Sequence, residues 1–349
     1  MRTSELNRAT LERQLLLQRS PLSVVDAIGR LVGLQAQAVN APYLGLWSRL
    51  SDFALDDLTA RLVDRSVVRS SVLRGTQHLV LAEDYPWLRP LIAPTLARGR
   101  QAAFGTQTKG LDLAALAAHA TELLAGRTLT RPRLGAELAK RWPEFNPIAL
   151  GWSAQSLVPV VHPPPNGTWR TGGATPFVLA ADWLGERPVV HGPEELVRRY
   201  LAAFGPATVA DMQQWSGVRG LGEVVERMSL AALGNGYVDL PDMSYADGPA
   251  PVRFLPDFDN LMVAYADRTR IMPDEYRKRV CVGAMVFATV LVDGTVRGTW
   301  KLVLGKDTAT LTVTLFEKLD RVSLAEVEAE GTRLLAFAAG GARQELVWA

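Results

Sequence analysis

Phe204-Gly205-Pro206-Ala207-Thr208-Val209-Ala210-Asp211-Met212-Gln213-Gln214-Trp215-Ser216-Gly217 is the stretch on which the fold assignment turns. A helical pattern starting at Glu194 is broken at Gly205-Pro206, and Thr208 is a good N-cap for a short helix over residues 209–215. Ser216-Gly217 then turns the chain, and residues 221–230 read as the next helix. Two helices joined by such a turn form a helix-turn-helix.

The same order recurs on either side. Leu129-Thr130-Arg131-Pro132 starts a helix capped by Thr130 and continued by Leu134 and Leu138. Near the N-terminus, Leu11 and Leu15 lie one helical turn apart. Ser23 caps a second helix carrying Val24, Ile28 and Leu31 on one stripe. That helix should end near Gly33 and leave Gln35 and Gln37 just beyond it. Val67-Val68 and residues 72–80 are β-branched or apolar runs that read as a small hairpin. Helices followed by a hairpin are the winged-helix order, with glycine- and proline-rich residues 162–173 and 242–251 as wings or linkers. From Val252 the chain is strand-rich, with a hairpin around Asp293-Gly294 and a final helix over residues 323–338. The expected fold class is therefore α+β, with tandem winged-helix modules at residues 1–105, 106–190 and 191–250. A strand-rich region with a final helix follows at residues 251–349.

Composition narrows the class. The 349 residues, 48% hydrophobic and 21% charged, exceed most single domains. Uncharged stretches such as residues 147–161 and 282–292 are broken by Gly, Pro, Ser or Gln and fall short of the roughly 20 apolar residues of a membrane span. The N-terminus has no signal-like apolar core, so the expected location is the cytoplasm, at the nucleoid. The single cysteine, Cys281, excludes an intramolecular disulfide and reads as a small buried hydrophobe in an apolar run. The four histidines have no metal-ligand spacing, so neither metal nor cofactor is expected. A net charge of +2 is too small to identify a nucleic-acid partner. Only six of the 38 basic residues are lysine, and arginine forks match phosphates, although a genome biased toward arginine codons gives the same count.

Leu31-Val32-Gly33-Leu34-Gln35-Ala36-Gln37-Ala38 followed by Pro42-Tyr43-Leu44-Gly45-Leu46-Trp47-Ser48-Arg49 resembles the AlkZ/YcaQ-type winged-helix DNA glycosylases. So do Leu73-Arg74-Gly75-Thr76-Gln77-His78-Leu79, Phe204 to Thr208 with Trp215-Ser216-Gly217, Leu255-Pro256-Asp257-Phe258-Asp259-Asn260, Ala266-Asp267-Arg268-Thr269-Arg270 and Gly298-Thr299-Trp300, in that order. A Gln-x-Gln alone carries almost no information, but ordered blocks along nearly the whole chain carry much more. The resemblance implies a catalytic Gln35-Ala36-Gln37 of the AlkZ branch. It also implies hydrolysis of the N-glycosidic bond of alkylated purines in double-stranded DNA, including bulky N7 adducts and interstrand cross-links. Some members protect producers of DNA-alkylating natural products.

The chemistry is compatible with this. An N7-alkylated purine already carries positive charge and leaves as a neutral base, so amides can suffice where no strong general acid is present. Gln37 is assigned to the attacking water and Gln35 to a supporting contact. The competing reading is that both satisfy backbone groups at a helix end, and the absence of an acid beside the motif is a tension. Asp64 and Asp26 are the nearest acids, and read as surface or capping residues. His78 alternates with Thr76 and Val80 and is either a structural histidine or a DNA contact. Arg69 and Arg74 flank the hairpin. Arg268 and Arg270 would face one surface if that segment is extended. These four arginines are candidate phosphate contacts, against solvated charge or pairing with Asp257, Asp259 and Asp267. Trp47, Trp215 and Trp300 read as core anchors.

Three functions compete: a monofunctional glycosylase acting as a monomer, a non-catalytic winged-helix regulator, and an inactive scaffold protein of the same fold. A regulator needs base-reading polar residues on its second helix, whereas Leu221-Gly222-Glu223-Val224-Val225-Glu226-Arg227 carries two acids and one arginine. The tandem modules therefore read as a scaffold.

Overall fold

The computed structural model describes residues 2–188 and 191–349, and the expected module boundary at residue 190 lies outside them. Helices and strands are mixed along the chain, as an α+β class requires. The first part contains helices Thr3–Arg13, Val24–Arg30, Ala41–Trp47 and Leu55–Val63 with a three-stranded sheet. In that sheet Gln77–Leu81 lies between Leu34–Gln35 and Val67–Ser71, antiparallel to both. Ser23 caps its helix by accepting from the Asp26 amide at 3.1 Å, which satisfies an otherwise orphaned N–H.

That helix ends at Arg30, and the chain reverses through Val32 and Gly33, both at positive φ. Gly33 is required twice over. Its φ is +104°, and an added Cβ would meet the Leu79 carbonyl oxygen at 2.8 Å. The close approach lets the next residues join the sheet, with Leu34 opposite Leu79 and Gln35 opposite His78.

The middle of the chain packs helices Leu113–Leu124, Arg131–Ala139 and Pro147–Leu157 around Leu116, Leu134, Leu150 and Phe177. Further on, helices Pro193–Phe204, Val209–Ser216 and Leu221–Arg227 precede a two-stranded hairpin, Ala231–Gly234 with Tyr237–Asp239. Thr208 and Asp211 cap the middle helix reciprocally, and Gly217 ends it in the left-handed conformation. The helix expected to reach residue 230 stops at Arg227, because residues 231–234 are drawn into the hairpin.

The C-terminal part is a five-stranded sheet in the order Arg343–Trp348, Thr308–Leu315, Thr295–Leu304, Thr289–Val292 and Arg253–Leu255, covered by helix Arg321–Ala338. Asp293 and Gly294 both have positive φ, which suits the two-residue turn of the hairpin. Trp47, Trp215 and Trp300 are buried, as core anchors should be.

Buried ion pairs tie these parts together. Arg13 grips Asp239 through two 2.8 Å bonds. Arg49 grips Asp259 at 2.8 and 2.9 Å, so Asp259 is unavailable to the arginines at 268 and 270. Removing one member of such a pair leaves an uncompensated buried charge, a loss of about 3–5 kcal/mol.

Candidate active site

Gln35 is the last residue of a short edge strand and is buried, while Gln37, two residues on, is exposed. The Ala36 backbone between them is pinned on both sides. Its N–H donates to the Gln77 carbonyl at 2.7 Å. Its carbonyl accepts from Arg69 Nε at 3.2 Å and from Nη2 at 3.0 Å. Arg69 also donates to Asn166 Oδ1 at 2.7 Å and to the Gln77 side chain. Burial pulls its pKa down to about 10, so it stays cationic at neutral pH.

The side chains form a chain of their own. Gln35 Nε2 donates to Gln37 Oε1 at 2.5 Å. Gln35 Oε1 accepts from Arg74 Nη2 at 2.7 Å. Arg74 sits in the turn between the two longer strands at φ 55°, followed by Gly75 at φ 75°, and its Nη1 donates to the Trp215 carbonyl. Burial, and secondarily the charge of Arg268, pull its pKa down to about 10.

His78 is 1% exposed and has its pKa driven down to about 3, first by burial and then by the Arg74 charge. A neutral ring assigns its roles. Nδ1–H donates to the Thr76 carbonyl at 2.9 Å, which leaves Nε2 to accept from Arg74 Nη2 at 3.3 Å.

Of the residues expected to contact DNA, Arg69, His78 and Arg270 are buried and hydrogen-bonded to protein groups. Arg270 donates to the Pro206 carbonyl at 2.7 Å and lies over the Tyr265 ring at 4.1 Å. Arg74 is half-buried, with both terminal nitrogens bonded to protein. Arg268 and Arg270 do not share a surface, because residues 269–271 form a turn where an extended segment was expected. Arg268, like Arg74, remains partly open to solvent, and it donates to Cys281 Sγ at 3.1 Å. Cys281 is accordingly half-buried and hydrogen-bonded, more polar in setting than the expected buried hydrophobe.

Asp26 and Asp64 are exposed and bonded to Ser23 and Ser66, in the capping roles expected of them. Among the described residues, no carboxylate hydrogen-bonds either glutamine, and no three His, Cys, Asp or Glu side chains cluster as metal ligands. Beside the segment that follows Gln37 runs a groove of about 710 Å³, lined by Asn40, Leu44, Arg170, Asp257, Phe287 and Lys301 among others. Asp257 accepts from the Ala288 amide at 2.9 Å, and burial pushes its carboxyl above the usual range. Asp257 as a groove carboxyl, and Asn166 and Gln77 as braces, had no periodicity or motif to single them out for these roles.

The site is thus a pair of amides at the solvent edge of an α+β scaffold, braced from behind by the buried Arg69 and the half-buried Arg74. Residues 28–337 match the family described as DNA glycosylase AlkZ-like, and the chain belongs to that family. It is 26% identical to the interstrand DNA cross-link repair glycosylase of Streptomyces sahachiroi, over 93% of each chain. Its fold is similar to that of the Streptomyces sahachiroi DNA glycosylase AlkZ, with a TM-score of 0.78 at 22% identity, covering 99% of this chain and 98% of that one. Among the described residues no helix is long and apolar enough to cross a membrane.

Proposed function

We propose that this glycosylase, acting as a monomer on double-stranded DNA at the nucleoid, releases cationic alkylated purines such as N7-alkylguanine and N3-alkyladenine. Gln37 holds the attacking water and Gln35 orients Gln37. The observation that carries the reading is the chemistry of the pair: its neighbours are an arginine and a neutral imidazole, with no carboxylate bonded to it among the described residues. Amides cannot protonate a leaving base, so the positive charge of the lesion must do what a general acid does elsewhere. Arg268, partly exposed close to Arg74, suits the phosphate beside the lesion. That phosphate in turn stabilises the oxocarbenium-like sugar.

The groove beside residues 38–41 supports acceptance of bulk, since about 710 Å³ is within the range that holds drug-sized groups. On this reading bulky N7 adducts and interstrand cross-links are substrates along with methylated bases. The modules at residues 1–105, 106–190 and 191–250 act as scaffold. Helix Leu221–Arg227 supports this, because its exposed face carries Glu223 and Glu226, and Arg227 pairs with Glu194 at 3.0 Å.

Duplex DNA bearing one N7-methylguanine, treated with the enzyme and then with alkali, should be cut at the lesion by wild type and left intact by Gln37→Ala. Intact strands with wild type under conditions where the duplex is bound would replace catalysis of this lesion with binding alone.

A further inference from the structure

We infer that Arg74 is a positioning residue that fixes the direction of the hydrogen-bond chain through Gln35 to Gln37. The inference rests on the catalytic reading of the two glutamines and adds to it the device that orders them. A glutamine amide has a donor end and an acceptor end of nearly the same shape, so a Gln-x-Gln pair alone can flip either amide. A guanidinium has donors only. Whichever end of Gln35 faces Arg74 must therefore be the oxygen, and Arg74 Nη2 does lie 2.7 Å from Gln35 Oε1. The Gln35 nitrogen is then forced toward Gln37, where it meets Oε1 at 2.5 Å. One lone pair of that oxygen is left for a water proton, and the Gln37 NH2 is left facing solvent.

Arg74 is itself fixed by what surrounds it. Its backbone is left-handed, a conformation rare outside glycine. Its Nη1 is bonded to the Trp215 carbonyl at the end of helix Val209–Ser216. The following Gly217 abuts the Arg74 backbone so closely that an added Cβ would stand 3.2 Å from Arg74 Cα. His78 accepts from the same Nη2 that serves Gln35, which a protonated ring could not do. The helix-turn-helix segment thus reaches across the molecule to the amides through one side chain.

The roles of phosphate contact and positioning residue separate in kinetics. Single-turnover base release and duplex affinity are measured for Arg74→Met, Arg74→Lys, Gln35→Ala, Gln35→Glu and the double variant Arg74→Met/Gln35→Ala, with melting temperature as the folding control. Arg74→Met is expected to slow release about 10–100-fold with affinity within about threefold, and Arg74→Lys to recover part of the rate. In the Gln35→Ala background, Arg74→Met is expected to add nothing, because its effect runs through Gln35. Gln35→Glu keeps the arginine contact but has no N–H to give Gln37, so it should fold as wild type and still lose the rate. Multiplying losses in the double variant, a near wild-type rate for Gln35→Glu, or weakened affinity with an unchanged rate for Arg74→Met would each overturn the inference. A wild-type enzyme that releases no base indicts the proposed function instead.

Discussion

Arg69 closes on the carbonyl oxygen of Ala36 from two of its nitrogens, Nε at 3.2 Å and Nη2 at 3.0 Å, and so holds the peptide between the two glutamines. The same guanidinium is also bonded to Asn166 Oδ1, so it ties the motif to the loop behind it. Replacing it by Met should leave the Ala36 carbonyl and the Asn166 and Gln77 side chains short of a donor, at about 1–3 kcal/mol for each group that water cannot reach. Arg69→Met is therefore expected to melt several degrees lower and to release base more slowly, with the salt dependence of DNA affinity unchanged. Thermal unfolding and salt titration check this. A flatter salt slope with a normal melting temperature would return Arg69 to the phosphate backbone.

Arg268 and Arg270 should behave differently although they stand two residues apart. Arg268→Ala is expected to reduce the slope of log affinity against log salt by about one unit, the signature of one phosphate contact. Arg270→Ala should leave the slope alone and lower stability, since it empties the stack on Tyr265 and orphans the Pro206 carbonyl. Equal effects on the slope would mean that Arg270 reaches DNA through a rearrangement.

The buried histidine sets a pH dependence. The folded protein holds His78 neutral down to about pH 3, whereas the unfolded chain takes up a proton near the ordinary value of 6.5. Between those values the unfolded state binds the extra proton, so stability is full above pH 6.5 and falls as pH drops toward 3. The slope approaches about 1.4 kcal/mol per pH unit for one such group. His162, also buried and pushed well below its usual pKa, acts in the same direction. Melting temperature should decline from pH 7 to pH 4, and less steeply in His78→Gln. Single-turnover release by folded enzyme should show no limb near pH 6.5, because neither glutamine titrates. A rate limb there would assign His78 a proton-transfer role.

Substrate charge should matter more than substrate size. N7-alkylguanine and N3-alkyladenine are expected to be released, and hypoxanthine, uracil and 1,N6-ethenoadenine to be retained, because the neutral bases need a proton that the amide pair cannot supply. Filling the groove with Leu302→Trp should slow bulky N7 adducts by at least about tenfold and leave N7-methylguanine within about twofold; Leu302 lines the groove. Side-by-side single-turnover rates decide both points. Efficient release of a neutral lesion would demand an acid, and Asp257, whose carboxyl is held above the usual range, would be the first to replace.

What the sequence determined by itself is what neighbouring residues dictate. Ser23 and Thr208 are caps because a short hydroxyl reaches an amide three residues on. Gly217 and Asp293-Gly294 turn the chain because they tolerate positive φ. Gln35 and Gln37 stood out only through the order of the blocks around them, not through any local physics. The tertiary structure alone decided what the arginines do. Arg69, Arg74 and Arg270 look alike as letters beside polar neighbours, yet their acceptors lie 33, 141 and 64 residues away, at Ala36, Trp215 and Pro206. Whether a guanidinium faces water or a buried carbonyl depends on which distant backbone the fold brings to it, and no window of sequence contains that information. The same holds for His78, whose neutrality comes from burial and from the charge of Arg74. Local propensity acts over one or two turns of chain, while desolvation and hydrogen-bond satisfaction are properties of the assembled interior.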